Sequence, residues 1–353
     1  MEIFKSLSVD EHEQVVFCCG RVSRLRAIIA IHDTTLGPAI GGIRFMKYAS
    51  EEEAFDDALR LSKAMTYKSS AAGLNLGGGQ GVIIDPGEDA DRNLIFRSFG
   101  QFVESLSGRF IAGEDVGTSV EDMEQIRQET EYVVGISHAL GGSGDPGPIA
   151  AAGVFHGILA CAEKVFGEKS LEGVSVAIQG VGHVGFALAE DLKIAGCQVY
   201  IADIDKKKVE AAKAKFGADV VDPEEIYGLK VDIFSPCALG GIINEKTVEK
   251  LNCRIVAGAA NNQLQTEKHG DILQRRGILY APDFIIGAGG LINVVNELEG
   301  YNQERALKQA GKIYDILLRV FEIAERENIS TSSAANLLAE ERLETIKKFR
   351  GLK

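Results

Sequence analysis

Apolar positions recur along this chain with two periods, and the changes of period mark its elements. QVVFCCG (14–20) and RAIIAIHD (26–33) are short runs rich in Val and Ile, which predict strands. SEEEAFDDALRLSKAMTYK (50–68) predicts a helix: Ser50 is the cap, acids fill the first turn, and Ala54, Ala58, Leu59, Leu61 and Met65 form the apolar stripe. After the triplet Gly77-Gly78-Gly79, Gln80 opens a predicted strand, GVIID (81–85), ended by Pro86-Gly87. RNLIFRSFGQFVESLSG (92–108) is amphipathic with helical spacing. RFIAGED (109–115) predicts a short strand that delivers Glu114 and Asp115 to its end.

The pattern changes at LGGSGDPGP (140–148), whose glycines and prolines continue neither helix nor strand. A helix is predicted from Ala150 to Phe166. Strand and helix patterns then alternate: VSVAIQG (174–180), HVGFALAEDLKIAG (183–196), CQVYIAD (197–203), KKVEAAKAKFG (207–217), VDIFSPC (231–237), RIVAGAA (254–260) and GILYAPDFII (277–286). Such alternation predicts a parallel, doubly wound sheet. Residues 302–353 are helical and charged. The expected organisation is α/β with two domains, over 1–140 and 141–329, and a C-terminal helix over 330–353 packing back onto the first domain.

Composition narrows the function classes. The 353 residues are 45% hydrophobic and 25% charged, enough for sizeable cores. Net charge is −13 and no basic run occurs, which argues against nucleic acid, because phosphate binding needs clustered Lys and Arg. The six cysteines (Cys18, Cys19, Cys161, Cys197, Cys237, Cys253) form no C-x-x-C pair and no Cys/His group with metal spacing, so neither a metal site nor a disulfide framework is expected. The N-terminus lacks an apolar signal core, and no apolar stretch approaches the ~20 residues that span a bilayer. A cytoplasmic protein with small-molecule ligands and no membrane association is expected.

One motif carries chemistry by its context. Gly180, Val181, Gly182, His183, Val184 and Gly185 form G-x-G-x-x-G between a predicted strand and a predicted helix, and a second strand ends in Asp203, 23 residues beyond Gly180. Glycines here permit a tight turn and let backbone approach a pyrophosphate at the helix N-terminus. Asp203 is placed to accept from a ribose 2′-hydroxyl and to repel a 2′-phosphate, which favours NAD over NADP. The plainer alternatives are a glycine-rich turn without a cofactor and an ordinary strand-end aspartate.

HDTTLGPAIGGIRF (32–45), MTYKSSAAGLNLGGGQGVII (65–84) and AGEDVGTSVEDM (112–123) resemble the Glu/Leu/Phe/Val amino-acid dehydrogenase family. PCALGGIIN (236–244), AGAANNQL (257–264) and PDFIIGAGGLINV (282–294) extend the resemblance in the family's order. It implies a substrate domain followed by a Rossmann-type NAD domain. The implied activity is oxidative deamination of an apolar or aromatic L-amino acid to a 2-oxo acid and ammonia, in a homo-oligomer. Carried over by position, Lys68 pairs with the substrate carboxylate and Asp115 moves protons. Gly41 and Gly42 let the backbone approach, while Ile40, Met65, Leu291 and Val294 line the pocket. Cys237, Ala238, Ala259 and Asn261 contact the cofactor. The bland readings are a solvated helix-end cation for Lys68, a strand-end cap for Asp115, plain turns for the glycines and core packing for Met65 and Val294.

Four positions depart from the family pattern. Gln80 stands where the family has its catalytic lysine, Ala150 where a threonine is common, His183 and Gly287 where asparagines are usual. A glutamine amide takes up no proton near neutral pH, although it still hydrogen-bonds. The chain therefore reads as a dehydrogenase of altered rate or range. The alternatives are a catalytically impaired relative that binds NAD and an amino acid, and a related imine reductase.

Overall fold

The computed structural model describes residues 3–351. The chain divides into two compact units, one of Met1–Gly144 with Val294–Asn302 and Ala339–Lys353, the other of Asp145–Asn293 with Gln303–Leu338.

The first unit opens with α1 (Ile3–Val9), β1 (Gln14–Gly20), β2 (Leu25–Asp33) and β3 (Ala39–Met46). These are followed by α2 (Glu51–Ala71), β4 (Gly77–Ile84), α3 (Arg92–Ser105), β5 (Phe110–Glu114) and α4 (Val120–Arg127). The sheet order is β1-β2-β4-β3-β5. β1, β2 and β4 pair antiparallel, while β3 runs parallel to both β4 and β5. Side-chain alternation sorts the apolar residues onto two faces. Ile28, Ala30, Val82 and Ile84 pack with Ala54, Phe55, Ala58 and Leu59 of α2. Ile29, Ile31, Ile43 and Ile83 pack with Phe96 and Phe99 of α3 and with Met123 and Ile126 of α4. α2 starts as its sequence predicts: the Ser50 side chain accepts from Glu53 N, and the Glu53 carboxylate accepts from Ala49 N.

The glycine triplet corrects the sequence expectation. Gly77–Gly79 do not precede β4; they are its first residues, all buried. The reason is close packing. A Cβ on Gly78 would lie 2.1 Å from Thr66 N of α2, and one on Gly77 would lie 2.0 Å from the Asp33 carbonyl oxygen. Gly41 and Gly42, plain turns in one reading, likewise lie inside β3.

The second unit contains α5 (Gly147–Phe166), β6 (Ser175–Gln179), α6 (His183–Ile194), β7 (Gln198–Ala202), α7 (Lys206–Phe216), β8 (Asp219–Val220), β9 (Ile233–Pro236) and β10 (Ile255–Val256). It continues through α8 (Lys268–Arg275), β11 (Leu279–Tyr280), α9 (Asp283–Ile286), α10 (Gly289–Val295), α11 (Gln303–Gly311) and α12 (Ile313–Glu327). α13 (Thr331–Arg350) has its first residues in this unit and its last in the first unit. The sheet is wholly parallel, in the order β11-β10-β9-β6-β7-β8. That is the doubly wound dinucleotide-binding order, with its switch point between β6 and β9.

Three predicted boundaries move. The 277–286 run is not one strand, because Pro282 ends the extended segment and Asp283–Ile286 turn as α9. The 254–260 strand shortens to Ile255–Val256. α5 begins at Gly147, so the helix is 20 residues long and apolar enough to cross a membrane by length and composition, contrary to the sequence expectation. Half of that span is buried, and it packs on α6, α11 and α12, where Gly153 and Gly157 admit Ile313 and Leu317. Among the described residues all six cysteines are free, with Cys19 exposed.

Two outcomes follow for stability. Gly78→Ala drives a methyl into α2 backbone and is expected to cost at least about 2 kcal/mol, read as a lower urea midpoint. His32, buried against Thr66 at 2.8 Å with its ring 4.8 Å from that of His12, is pushed down to about 4, chiefly by burial and then by His12. The unfolded imidazole, near 6.5, binds its proton first. Stability from this group is therefore full above pH ~6.5 and is lost as pH falls toward ~4, by about 3 kcal/mol in all. His32→Gln should flatten the pH dependence of unfolding in that window, and an unchanged slope would contradict the assignment.

Candidate active site

In the first sheet β3 separates β4 from the end of β5, and its two glycines put no side chain between them. A Cβ on Gly41 would lie 1.7 Å from the Gly79 carbonyl oxygen, and one on Gly42 would lie 2.5 Å from Asp115 Cβ. Gln80, only 2% exposed, reaches over this gap: its Nε2 donates to Asp115 Oδ2 at 2.9 Å and to the Gly81 carbonyl at 3.3 Å. Thr118 fixes the backbone at Asp115, its Oγ1 accepting from Asp115 N at 2.9 Å and donating to Asp115 O at 2.8 Å.

Arg44, which sequence reasoning missed, completes this group. Its Nε donates to Asp115 Oδ2 at 3.1 Å and its Nη1 to Asp57 Oδ2 at 2.9 Å. Tyr48 donates to the same Asp57 oxygen at 2.9 Å, and Arg60 Nη2 to Asp57 Oδ1 at 2.6 Å. Burial works against the Arg44 charge, but Asp115 and Asp57 outweigh it and hold the guanidinium above its ordinary value. Burial also pushes Asp57 up, yet the hydrogen bonds from Arg60 and Tyr48 and the charge of Arg44 leave its carboxyl below the ordinary value. The signal was available: Arg44 lies two residues beyond Gly42, on the same face of a strand.

The other predicted substrate residues divide between the units. Met65 and Lys68 are half-buried and three apart on α2, with Thr66 between them packed on Gly78. Ile40 is buried and pairs with Gly78. Leu291 and Val294 lie three apart on α10, Leu291 in the second unit and Val294 in the first.

In the second unit the predicted cofactor residues gather at the ends of β6 and β9. Gly180 turns with φ +96° and packs on Ala238, where a Cβ would meet the Ala238 Cβ at 2.7 Å. At Gly185 a Cβ would lie 2.0 Å from the Gly180 carbonyl oxygen and 3.3 Å from Cys237 Cβ. These two glycines serve the fold. Gly182 does not: its φ is −70° and nothing lies within 4 Å of a Cβ there, so no protein neighbour requires a glycine. Space kept open at the first turn of α6 fits a pyrophosphate held by backbone N–H groups. Asp203, just after β7, is tied to the turn, its Oδ2 accepting from Val181 N at 2.8 Å and its Oδ1 from Asp205 N at 2.9 Å. Val181 is buried, Val184 half-buried, and His183 is 84% exposed with Nδ1 3.5 Å from Asp145 Oδ1. Ala259 contributes a carbonyl oxygen 3.5 Å from a Cβ on Gly287, and Asn261 is exposed. Ala150 lies in the first turn of α5, against Gly289. Among the described residues no group of three His, Cys, Asp or Glu is placed to hold a metal ion.

Fold and site define a two-unit α/β protein with a dinucleotide-binding sheet. Residues 9–132 match the Glu/Leu/Phe/Val dehydrogenase dimerisation domain, and residues 197–351 match the Glutamate/Leucine/Phenylalanine/Valine dehydrogenase family. The chain belongs to this family. It is 54% identical over 351 residues to a leucine dehydrogenase of Geobacillus stearothermophilus, covering 99% of this chain and 95% of that one. It is 49% identical over 347 residues to a phenylalanine dehydrogenase of Bacillus thermotolerans, covering 97% and 90%. The solved L-tryptophan dehydrogenase of Nostoc punctiforme superposes with a TM-score of 0.89 at 48% identity, covering 98% of this chain and 99% of that one.

Because no protein atom lies within 4 Å of a Cβ at Gly182, Gly182→Ala should fold, at a cost of no more than about 1 kcal/mol for an alanine N-cap. It should also lose at least about tenfold in NADH affinity, or 1.4 kcal/mol, as its methyl enters the phosphate space. Fluorescence titration beside a denaturation curve separates the two effects. Unchanged affinity would remove the turn as the cofactor site.

Proposed function

We propose that this protein is an NAD-dependent L-amino-acid dehydrogenase, converting an apolar or aromatic L-amino acid to its 2-oxo acid and ammonia, slowed at proton transfer. The observation that carries the reading is the contact between Gln80 and Asp115 within the family's fold. The glycine turn and Asp203 would hold NAD, which when bound supplies the acceptor for the hydride leaving the substrate Cα. Lys68 neutralises the substrate carboxylate. Gly41 and Gly42 admit the substrate to the backbone, and Ile40 and Met65 take its side chain.

The proton work falls to Asp115. Gln80 is an amide that neither gains nor gives a proton near neutral pH, and its Nε2 already donates to Oδ2. Asp115 then takes protons from the substrate ammonium and from the attacking water. Lacking a second base costs typically about 10²–10⁴-fold in rate. A homo-oligomer is also inferred, supported by the match of residues 9–132 to a dimerisation domain. A cytoplasmic setting is supported by the free cysteines.

A second reading, an NAD- and amino-acid-binding relative without turnover, is favoured by the same neutral amide at position 80. One assay separates them: NADH absorbance is followed at alkaline pH with a panel of amino acids, for the protein and for Gln80→Lys. Slow turnover by the protein and a gain on the order of 10²-fold in the variant are expected. No turnover in either, with saturable NADH binding retained, would establish the binding protein instead.

A further inference from the structure

The hydrogen-bonded chain behind Asp115 has a direction. Asp57 and Arg44 have side chains 14% and 16% exposed, while Asp115 at the other end is 24% exposed. Charge is therefore anchored inside, between α2 and the sheet, and presented at the more open end. Arg44 is the link. One guanidinium edge nitrogen, Nε, holds Asp115 Oδ2, and Nη1 holds Asp57 Oδ2, so the planar fork sets two carboxylates at a fixed spacing. Asp57 is itself held by Tyr48 and Arg60, which keeps the fork from swinging.

Gln80 and Arg44 come from different strands and converge on the same Asp115 oxygen, at 2.9 and 3.1 Å. Oδ1 is claimed by neither. The carboxylate plane is thus set by two donors, of which Arg44 is the charged one.

We infer that Arg44 is a positioning residue for Asp115: clamped by Asp57, it fixes the carboxylate through Oδ2 so that Oδ1 faces the reacting groups. The inference rests on the dehydrogenase reading proposed above. It assigns Arg44 no contact with substrate or cofactor. Its effect runs wholly through the orientation of Asp115, and misplacement of a reacting group by about 1 Å is enough to cost on the order of 10²-fold in rate.

The test compares Arg44→Gln, Arg44→Lys and Asp57→Asn in steady-state turnover, with NADH titrations, melting curves and crystal structures of the same proteins. Arg44→Gln should lower kcat by at least about tenfold while the amino-acid KM and the NADH Kd stay within about threefold. Arg44→Lys restores the charge without the fork and should recover part of kcat. Asp57→Asn leaves Arg44 in place but loosens its anchor, and should give a smaller fall of the same kind. In the Arg44→Gln structure the Asp115 carboxylate should leave Gln80 Nε2. A folded Arg44→Gln with kcat within twofold of the parent, or with Asp115 unmoved, overturns the inference. So does a loss spread equally over kcat, KM and melting temperature, which marks a merely structural ion pair. If Arg44→Gln does not fold, Arg44→Lys and Asp57→Asn decide by the same criteria. A parent protein with no turnover on any amino acid sinks the dehydrogenase reading alone, and the position of Asp115 in the variant structures still decides this one.

Discussion

The first unit is organised by backbone packed too closely for side chains. Gly41 lies against the Gly79 carbonyl, Gly78 against the N–H end of Thr66, and Gly42 against Asp115. Any Cβ at these points would have to displace backbone or a fixed side chain, and interiors at crystal-like density do not yield that space cheaply. The consequence is chemical. With the glycines in place, α2 settles on β4, β3 becomes a strand without side chains at its centre, and Gln80 and Asp115 meet across it.

Around that contact the charges are arranged in order. Asp57 and Arg44 form the inner pair, and Asp115 the outer end, each carboxylate held by more than one donor. A buried ion pair of this kind is weak evidence for stability, because desolvation offsets much of its attraction. Its value is directional, since a fork with two fixed carboxylates determines where a third group can point. Gln80 brings a neutral hydrogen-bond donor to this region and no charge.

The second unit solves a different problem. Its parallel sheet reverses order between β6 and β9, the point at which sheets of this kind bind ligands. Gly180, Gly185, Cys237 and Ala238 pack together at that point, whereas nothing lies within 4 Å of a Cβ at Gly182. Asp203 joins the two by accepting from Val181 N, so the acid is already oriented by the turn it serves.

Much of this was legible in the residues alone. The helix from Ser50, the doubly wound alternation after 170 and the glycine turn with Asp203 are local patterns, because capping, period and φ preferences act over a few residues. Local pattern misjudged Gly77–Gly79, which read as a loop before a strand, and Asp283–Ile286, which read as strand, because tertiary packing and a single proline overrode propensity there. It was silent on Arg44 and Asp57, whose partners lie 71 and 13 residues away from Arg44 along the chain. Such partnerships depend on which strands are neighbours and in what register, and a one-residue slip would turn Arg44 to the opposite face. The sequence by itself determined which chemical groups are present and where the chain turns. The tertiary structure decided which of them touch, because only the register of β3 between β4 and β5 brings Gln80, Arg44 and Asp115 to one oxygen.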